Sequence, residues 1–348
     1  MKPTGGIGRK CLSVWLQYRF KQIYFWIYMI NRIGVLTSGG DAPGMNAAVR
    51  SVVRAAINEG ISVSGIRDGF LGMHQDRIVE LDRADVNDII TRGGTFLGTA
   101  RFTAFKEESV RREAIENLNK RNIDALVLIG GDGTYTGAQR LHEMGIRCIG
   151  IPATIDNDVH GTEFSIGFDT AVNNIMQNMD RLRDTSSSHH RVTIVEVMGR
   201  HCGDLAMVGG IAGGADYIIA PELEFKKEDL FTKISQAFAA GKRHALICLC
   251  ENMVNADALA SELEATTGIE CRATVLGHIQ RGGTPTAYDR VLASRLGDYA
   301  VRLLIDGAYG KCVGVEGSVL IATDFATAIE TPKLSRIREY NCLSNKIS

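Results

Sequence analysis

Five apolar runs, each closed by a glycine-bearing or charged turn, constrain this chain more than any other feature. They are Ile33–Leu36, Ala125–Ile129, Ile146–Ile151, Arg191–Val197 and Ala245–Leu249. The turns that close them are Thr37-Ser38-Gly39-Gly40-Asp41, Gly130-Gly131-Asp132-Gly133-Thr134, Pro152–Asp158, Met198-Gly199-Arg200 and Glu251. A less regular run, Thr274–Gly277, ends in His278-Ile279-Gln280-Arg281-Gly282-Gly283. Continuous apolar character fits strands buried on both faces of a parallel sheet, and helical stretches separate them. The expected fold class is therefore doubly wound α/β, which places ligands at the carboxyl ends of its strands.

Composition bounds this reading. The 348 residues allow two domains or one large one, and no fixed-period repeat or low-complexity stretch divides them. A hydrophobic content of 45% supports a real core. The net charge of −1 argues against a general nucleic-acid or anionic-membrane binder, so anion recognition must come from local basic clusters. With 38 glycines against 6 prolines, the chain reads as rich in tight βα turns rather than disordered. The eight cysteines form no CxxC pair and read as buried free thiols of a reducing compartment. Residues 1–28 do not belong with the rest of the chain. Val14–Ile30 is aromatic and apolar but broken by Arg19 and Lys21, too short and charged for a membrane span. It also lacks the cleavage site of a signal peptide. The expectation is a natural start near Met29, with the leader an artefact of start-site choice or an unstructured tail.

The chemistry is densest at Pro152-Ala153-Thr154-Ile155-Asp156-Asn157-Asp158. Two carboxylates two residues apart beside a hydroxyl can divide their labour, one taking a proton and the other helping to hold a metal. Earlier, Thr37–Gly44 runs into a helix expected over Met45–Glu59, and a glycine turn feeding a helix N-terminus makes an anion site. It matches neither a Walker loop nor GxGxxG. On that helix Arg50 and Arg54 share one face, and by themselves read as solvated. In Thr91–Arg101 a second glycine-rich run ends in Arg101, a candidate anion ligand. After a helix expected over Glu107–Arg121, Asp132 stands beside a third glycine turn and suits a magnesium ion bound to nucleotide phosphates. Such GGDG turns occur in unrelated nucleotide-using kinases. A long helix is expected to end near Thr185, with Ser186-Ser187-Ser188-His189-His190 as a loop.

Taken in order, IGVLTSGGDAPGMNAAVR, RGGTFLGTAR, IGGDGT, PATIDND, VEVMGR and TVLGHIQRGG closely resemble the ATP-dependent 6-phosphofructokinases of the bacterial allosteric type. The resemblance runs from about Ile30 to at least Gly314. It implies magnesium-dependent transfer of the γ-phosphoryl group of ATP to the 1-hydroxyl of fructose 6-phosphate, in a cytoplasmic glycolytic homotetramer. By that resemblance Asp156 is the base on the sugar hydroxyl, Thr154 positions, and Asp132 and Asp158 serve the metal. Gly40, Arg101, Phe102 and Gly131, Asp132, Gly133 and Thr134 line the ATP site, and Arg101 and Arg200 join the catalytic set. Ile155, Met198, Gly199, Arg200, Glu251, His278, Ile279, Gln280 and Arg281 match the sugar-phosphate site. Arg191 and Arg272 match arginines that reach the 6-phosphate from a neighbouring subunit.

The same resemblance makes Arg50, Arg54, Arg83, Arg183, Asp216, Lys242, Arg243 and His244 an effector site between subunits, for ADP or phosphoenolpyruvate. It thereby displaces the solvated reading of the helix arginines. Asp216 stands where the family has Glu and Ala240 where it has Lys, so altered effector strength or selectivity is expected. Pyrophosphate-using relatives carry Asp at the position of Gly133 and Lys at that of Ala153, so ATP is the expected donor; Ala153 replaces the usual Gly but is small and uncharged. The alternatives are a pyrophosphate-dependent enzyme or a catalytically silent nucleotide-sensing paralogue, and the latter predicts loss of acids and arginines that are all present. Two lobes are expected: residues 30–167 with 280–330 for the nucleotide, and 168–279 with 331–348 for the sugar phosphate and effector.

Overall fold

The computed structural model describes residues 30–333 and 340–343; the expected leader lies outside the described residues. Among the described residues eleven strands follow in chain order: β1 (Arg32–Thr37), β2 (Ser62–Ile66), β3 (Ile78–Leu81), β4 (Ala125–Gly130), β5 (Arg147–Pro152), β6 (Val192–Val197), β7 (Tyr217–Ile219), β8 (Ala245–Cys250), β9 (Cys271–Val275), β10 (Lys311–Glu316) and β11 (Val319–Asp324). They form a seven-stranded sheet in the order β11-β10-β5-β4-β1-β2-β3 and a four-stranded sheet in the order β7-β8-β6-β9. The small sheet is wholly parallel, and the large one is parallel except for its edge strands β3 and β11. The doubly wound expectation holds in both. β4 and β8 are buried along their whole length, which explains their unbroken apolar sequences.

The chain leaves the large sheet after β5, builds the small one, and returns for β10 and β11. The helix Phe168–His189 carries it out and the helix Ala287–Ile305 brings it back. One buried carboxylate joins these two crossings. Asp289 accepts from Gly167 N at 2.9 Å, Thr170 N at 2.8 Å and Thr170 Oγ1 at 2.5 Å, so it satisfies first-turn donors that would otherwise lack partners. Burial nevertheless pushes its carboxyl up to about 6. The returning helix packs on Met45–Asn58, where a Cβ at Gly297 would come within 2.6 Å of Ser51 Cβ. Only glycine allows that approach.

Two local expectations are corrected. The polar run from Ser186 is not a loop, because the helix continues to His189 and stops where His190 turns left-handed at φ 53°. Ser186 is buried, with Oγ 2.7 Å from Leu182 O and 2.6 Å from Thr193 Oγ1, so its hydroxyl is satisfied inside the helix. The last small-sheet strand is Cys271–Val275 rather than Thr274–Gly277, since Gly277–Arg281 winds into a 3₁₀ turn. Cys148, Cys248, Cys250, Cys271 and Cys312 are buried free thiols, as expected, whereas Cys342 is exposed. No helix among the described residues is long and apolar enough to cross a membrane.

Candidate active site

The turns after β1 and β4 lie side by side because these strands pair in parallel, Thr37 opposite Ile129. Ser38 N donates to Ile129 O at 3.0 Å, and Thr134 Oγ1 donates back to Ser38 O at 3.1 Å. A Cβ at Gly130 would overlap both Thr134 Oγ1 and the Ser38 carbonyl, so the close approach requires glycine. The helix Asp132–Glu143 then begins with no side-chain cap, leaving first-turn N–H groups for a ligand. Around Gly133 a Cβ would meet nothing within 4 Å. The run Arg92–Arg101 folds over this edge: Asn46 donates to Arg92 O at 3.1 Å and accepts from Phe96 N at 2.8 Å, while Thr99 Oγ1 donates to Gly39 O at 2.8 Å. Arg101 is exposed, and Phe102 leans on Phe105 and His74.

The loop after β5 is anchored to the same edge by Ala153 N donating to Gly130 O at 3.0 Å. Asp156 is only 4% exposed, and its Oδ1 has no hydrogen-bond partner. Burial first, then the charge of Asp158, pushes this carboxyl up to about 6, against the opposing pull of Arg281 and Arg200. Asp132 is exposed, yet the surrounding protein and Asp158 push it to about 6 as well. Asp158 thus acts on both acids. A magnesium ion fits this donor set, because it takes one or two carboxylates and leaves its other positions to water and phosphate oxygens. No group of three or more metal-ligating side chains occurs among the described residues.

The small sheet supplies the facing wall. Glu251 Oε1 accepts from Arg200 N at 2.9 Å and Gly199 N at 3.2 Å, fixing a turn in which Gly199 (φ 139°) and Arg200 (φ 55°) both have positive φ. Gln280, fully buried, accepts from Met198 N at 3.2 Å and donates to Gly277 O at 3.0 Å, which sets the 3₁₀ turn carrying His278, Ile279 and Arg281. Arg281 bridges the walls, donating to Asp41 O at 3.2 Å with its guanidinium against Gly40. A family model described as Phosphofructokinase matches residues 32–304. The chain belongs to the phosphofructokinase family.

This chain is 63% identical over 305 residues to a Tolumonas auensis protein named ATP-dependent 6-phosphofructokinase, covering 88% of this chain and 95% of the relative. Among solved structures it is similar to the phosphofructokinase of Saccharomyces cerevisiae, with a TM-score of 0.80 and 33% identity. That match covers 91% of this chain but 46% of the yeast chain, so the present chain spans about half its length. A pyrophosphate-dependent phosphofructokinase from Marinobacter aquaeolei gives a TM-score of 0.80 at 23% identity, covering 89% and 86% of the two chains, and shows the fold alone.

Not every residue expected of a phosphofructokinase site gathers here. Arg191 and Arg272 stand at the amino ends of β6 and β9, roughly 20 Å along the strands from Met198 and Arg200. Both pair with Glu270, at 3.8 and 3.0 Å, and Arg272 also with Glu264 at 3.0 Å. The expected effector residues fall into two groups. Arg50 and Arg54 lie on the helix Met45–Asn58, where burial and then Arg54 lower the pKa of Arg50, and Arg54 donates to Asn87 at 2.7 Å. Arg83 is exposed. Elsewhere Asp216 accepts from Leu246 N at 2.8 Å and pairs with Lys242, while Arg183 donates to the carbonyls of Gly213 and Gly214; Arg243 and His244 follow Lys242. Sequence reading missed Asn157, Ser165 and Asp204, whose bonds tie down the Pro152–Asp158 loop, and Lys333, which donates to the Glu163 carbonyl that Asn157 also reaches. The available signal was an asparagine between two aspartates, a residue suited to a left-handed position.

Proposed function

We propose that this chain transfers the γ-phosphoryl group of ATP to the 1-hydroxyl of fructose 6-phosphate, giving fructose 1,6-bisphosphate and ADP. The observation that carries the reading is Asp156, a buried carboxylate with an unpartnered oxygen between two further acids and the arginines 200 and 281. The 63% identity to a 6-phosphofructokinase supports the substrate pair. Phosphoryl transfer depends on in-line positioning and charge stabilisation more than on covalent catalysis. Asp156 accepts the hydroxyl proton through Oδ1, and Thr154, whose Oγ1 accepts from Asp156 N at 3.2 Å, holds its backbone. Gly40 and Gly131–Thr134 offer backbone to the ATP phosphates, with Arg101 and Phe102 beside them. Asp132 and Asp158 would hold magnesium, which neutralises phosphate charge when bound. Ile155, Met198, Gly199, Arg200, Glu251, His278, Ile279, Gln280 and Arg281 receive the sugar phosphate.

Arg191 and Arg272 serve the 6-phosphate of a neighbouring subunit's site, and their position at the far end of the small sheet supports a role in trans. This requires at least a second subunit, in the proposed homotetramer, and Val275 and Val291, each more than half exposed, are apolar side chains open to such a contact. Lobes 30–167 with 280–330 and 168–279 with 331–348 divide nucleotide from sugar-phosphate binding, and the two basic groups form one effector site for ADP or phosphoenolpyruvate between subunits. The setting is cytoplasmic. The space at Gly133 supports ATP over pyrophosphate as donor. A coupled assay with fructose 6-phosphate, run with ATP and then with pyrophosphate, tests the reading. Turnover with ATP alone is expected; robust turnover with pyrophosphate overturns the donor, and silence with both overturns the reaction. Superimposable saturation curves with and without ADP and phosphoenolpyruvate would remove the effector site.

A further inference from the structure

Between the two reacting acids sits a residue that points into neither substrate wall. Asn157 is 2% exposed and has a left-handed backbone, φ 54°, which turns the chain sharply between Asp156 and Asp158. Its side-chain amide donates to Asp204 Oδ2 at 2.9 Å and to Glu163 O at 3.3 Å. Its carbonyl oxygen accepts from Ser165 N at 3.0 Å, and the Ser165 hydroxyl donates onward to Thr154 O at 2.7 Å. The direction in which each acid leaves the loop is therefore fixed by what Asn157 is tied to.

One of those ties, and a further bond to the Glu163 carbonyl, come from outside the large sheet's loops. Asp204 opens the helix Asp204–Ala212, directly after the Met198–Arg200 turn, and is buried. Lys333 follows the last strands, and its Nζ donates to the same Glu163 carbonyl at 2.9 Å. A cavity of about 360 Å³ lies against these groups, lined among others by Asn157, Glu163, Asp204, Lys333 and Tyr340. The loop is thus not wedged in place by close packing on that side. Directional bonds hold it instead.

We propose that Asp204 and Lys333 are positioning residues that hold Asp156 and Asp158 in their reacting orientation by clamping Asn157, the first directly and the second through the Glu163 carbonyl. The inference deepens the phosphoryl-transfer reading and rests on it for its kinetic consequence. Releasing the clamp lets the acids drift, and a misplacement of about 1 Å costs up to roughly 10²-fold in rate. Nucleotide affinity is affected less, because the ATP turns are built on other backbone and only Asp158, through the magnesium it would help hold, links them to the clamp.

The test uses the full-length protein and the variants Asp204→Ala, Asp204→Asn, Lys333→Met and the double Asp204→Ala/Lys333→Met. Expected is a fall in kcat of about 10- to 100-fold for D204A, with a smaller rise in KM for ATP through the displaced Asp158. D204N keeps an acceptor oxygen and recovers most of the loss. K333M loses less, and the double variant falls short of the product of the singles because both act through Asn157. Hydrogen exchange of a peptide spanning residues 154–166 reads the clamp whichever reaction the site runs, and faster exchange is expected in D204A and K333M. Wild-type kcat in a folded D204A, a rise confined to KM for ATP, or unchanged exchange overturns the proposal. If D204A fails to fold, K333M decides it: wild-type kcat and exchange in that variant overturn it. Failure of the wild type to turn over ATP would instead overturn the assigned reaction, with the exchange result still deciding the clamp.

Discussion

At the turn after β4, position is set by what the residues lack. Gly130 has no Cβ to strike Ser38, Gly133 leaves open space, and the helix that contains Gly133 starts uncapped. One strand over, the loop after β5 is set by what its residues carry: Asn157, Ser165 and Thr154 use their polar groups to hold one another, the Glu163 carbonyl and the distant Asp204 side chain. The difference teaches where each half is vulnerable. A turn built from backbone is damaged by adding atoms, whereas a loop built from side chains is damaged by removing them.

The largest expected effect tests the loop. Asp156→Ala should lower kcat by roughly 10²–10⁴-fold, the usual size of a general-base contribution, with modest change in either KM; a near-wild-type kcat would refute the assignment. The turn should respond in stability. Gly130→Ala is expected to cost about 1–3 kcal/mol, since neither the Ser38 carbonyl nor buried Thr134 has room to retreat. Gly133→Ala, in open space on a helix, should gain up to about 1 kcal/mol while raising KM for ATP. Urea midpoints and ATP saturation curves on the two variants check both signs, and equal midpoints would break the contrast.

Smaller effects probe regions outside the pair. Asp289 has its carboxyl pushed from an ordinary 3.8 up to about 6, so on acidification the folded chain takes up this proton before the unfolded one does. From about pH 6 to pH 4 the group therefore adds stability as pH falls, by up to about 2–3 kcal/mol at about 1.36 kcal/mol per unit. Asp289→Asn should flatten that part of the Tm-versus-pH curve; an unchanged slope would contradict it. Arg272 lies at the smallest end: its ion pairs are half exposed, so Arg272→Ala should change stability by less than about 0.5 kcal/mol. The same variant should still raise KM for fructose 6-phosphate, and an unchanged KM would remove Arg272 from the site.

This contrast also governs how much was legible beforehand. Strands β1, β4, β5, β6 and β8 and their glycine turns announce themselves locally, through apolar runs and missing side chains a few residues apart. Asp204 and Lys333 do not, because the bonds they make reach across 47 and 170 residues of sequence. The small-sheet arginines were legible as residues but not as places: nothing in the order of the chain tells that Arg191 and Arg200 leave opposite ends of one strand. Ser186–His189 misled for a different reason, since a polar composition suggests a loop until the packing partner of Ser186 is known.

The uneven burial of the thiols has a practical use. Burial pushes the Cys250, Cys271 and Cys312 thiols up to about 12, and those of Cys148, Cys202 and Cys248 higher still, so they stay protonated and slow to alkylate near neutral pH. Cys342 is exposed and lies nine residues past Lys333. Among the described residues it is the natural attachment point for a maleimide dye, whose emission would follow the chain's end while the enzyme turns over.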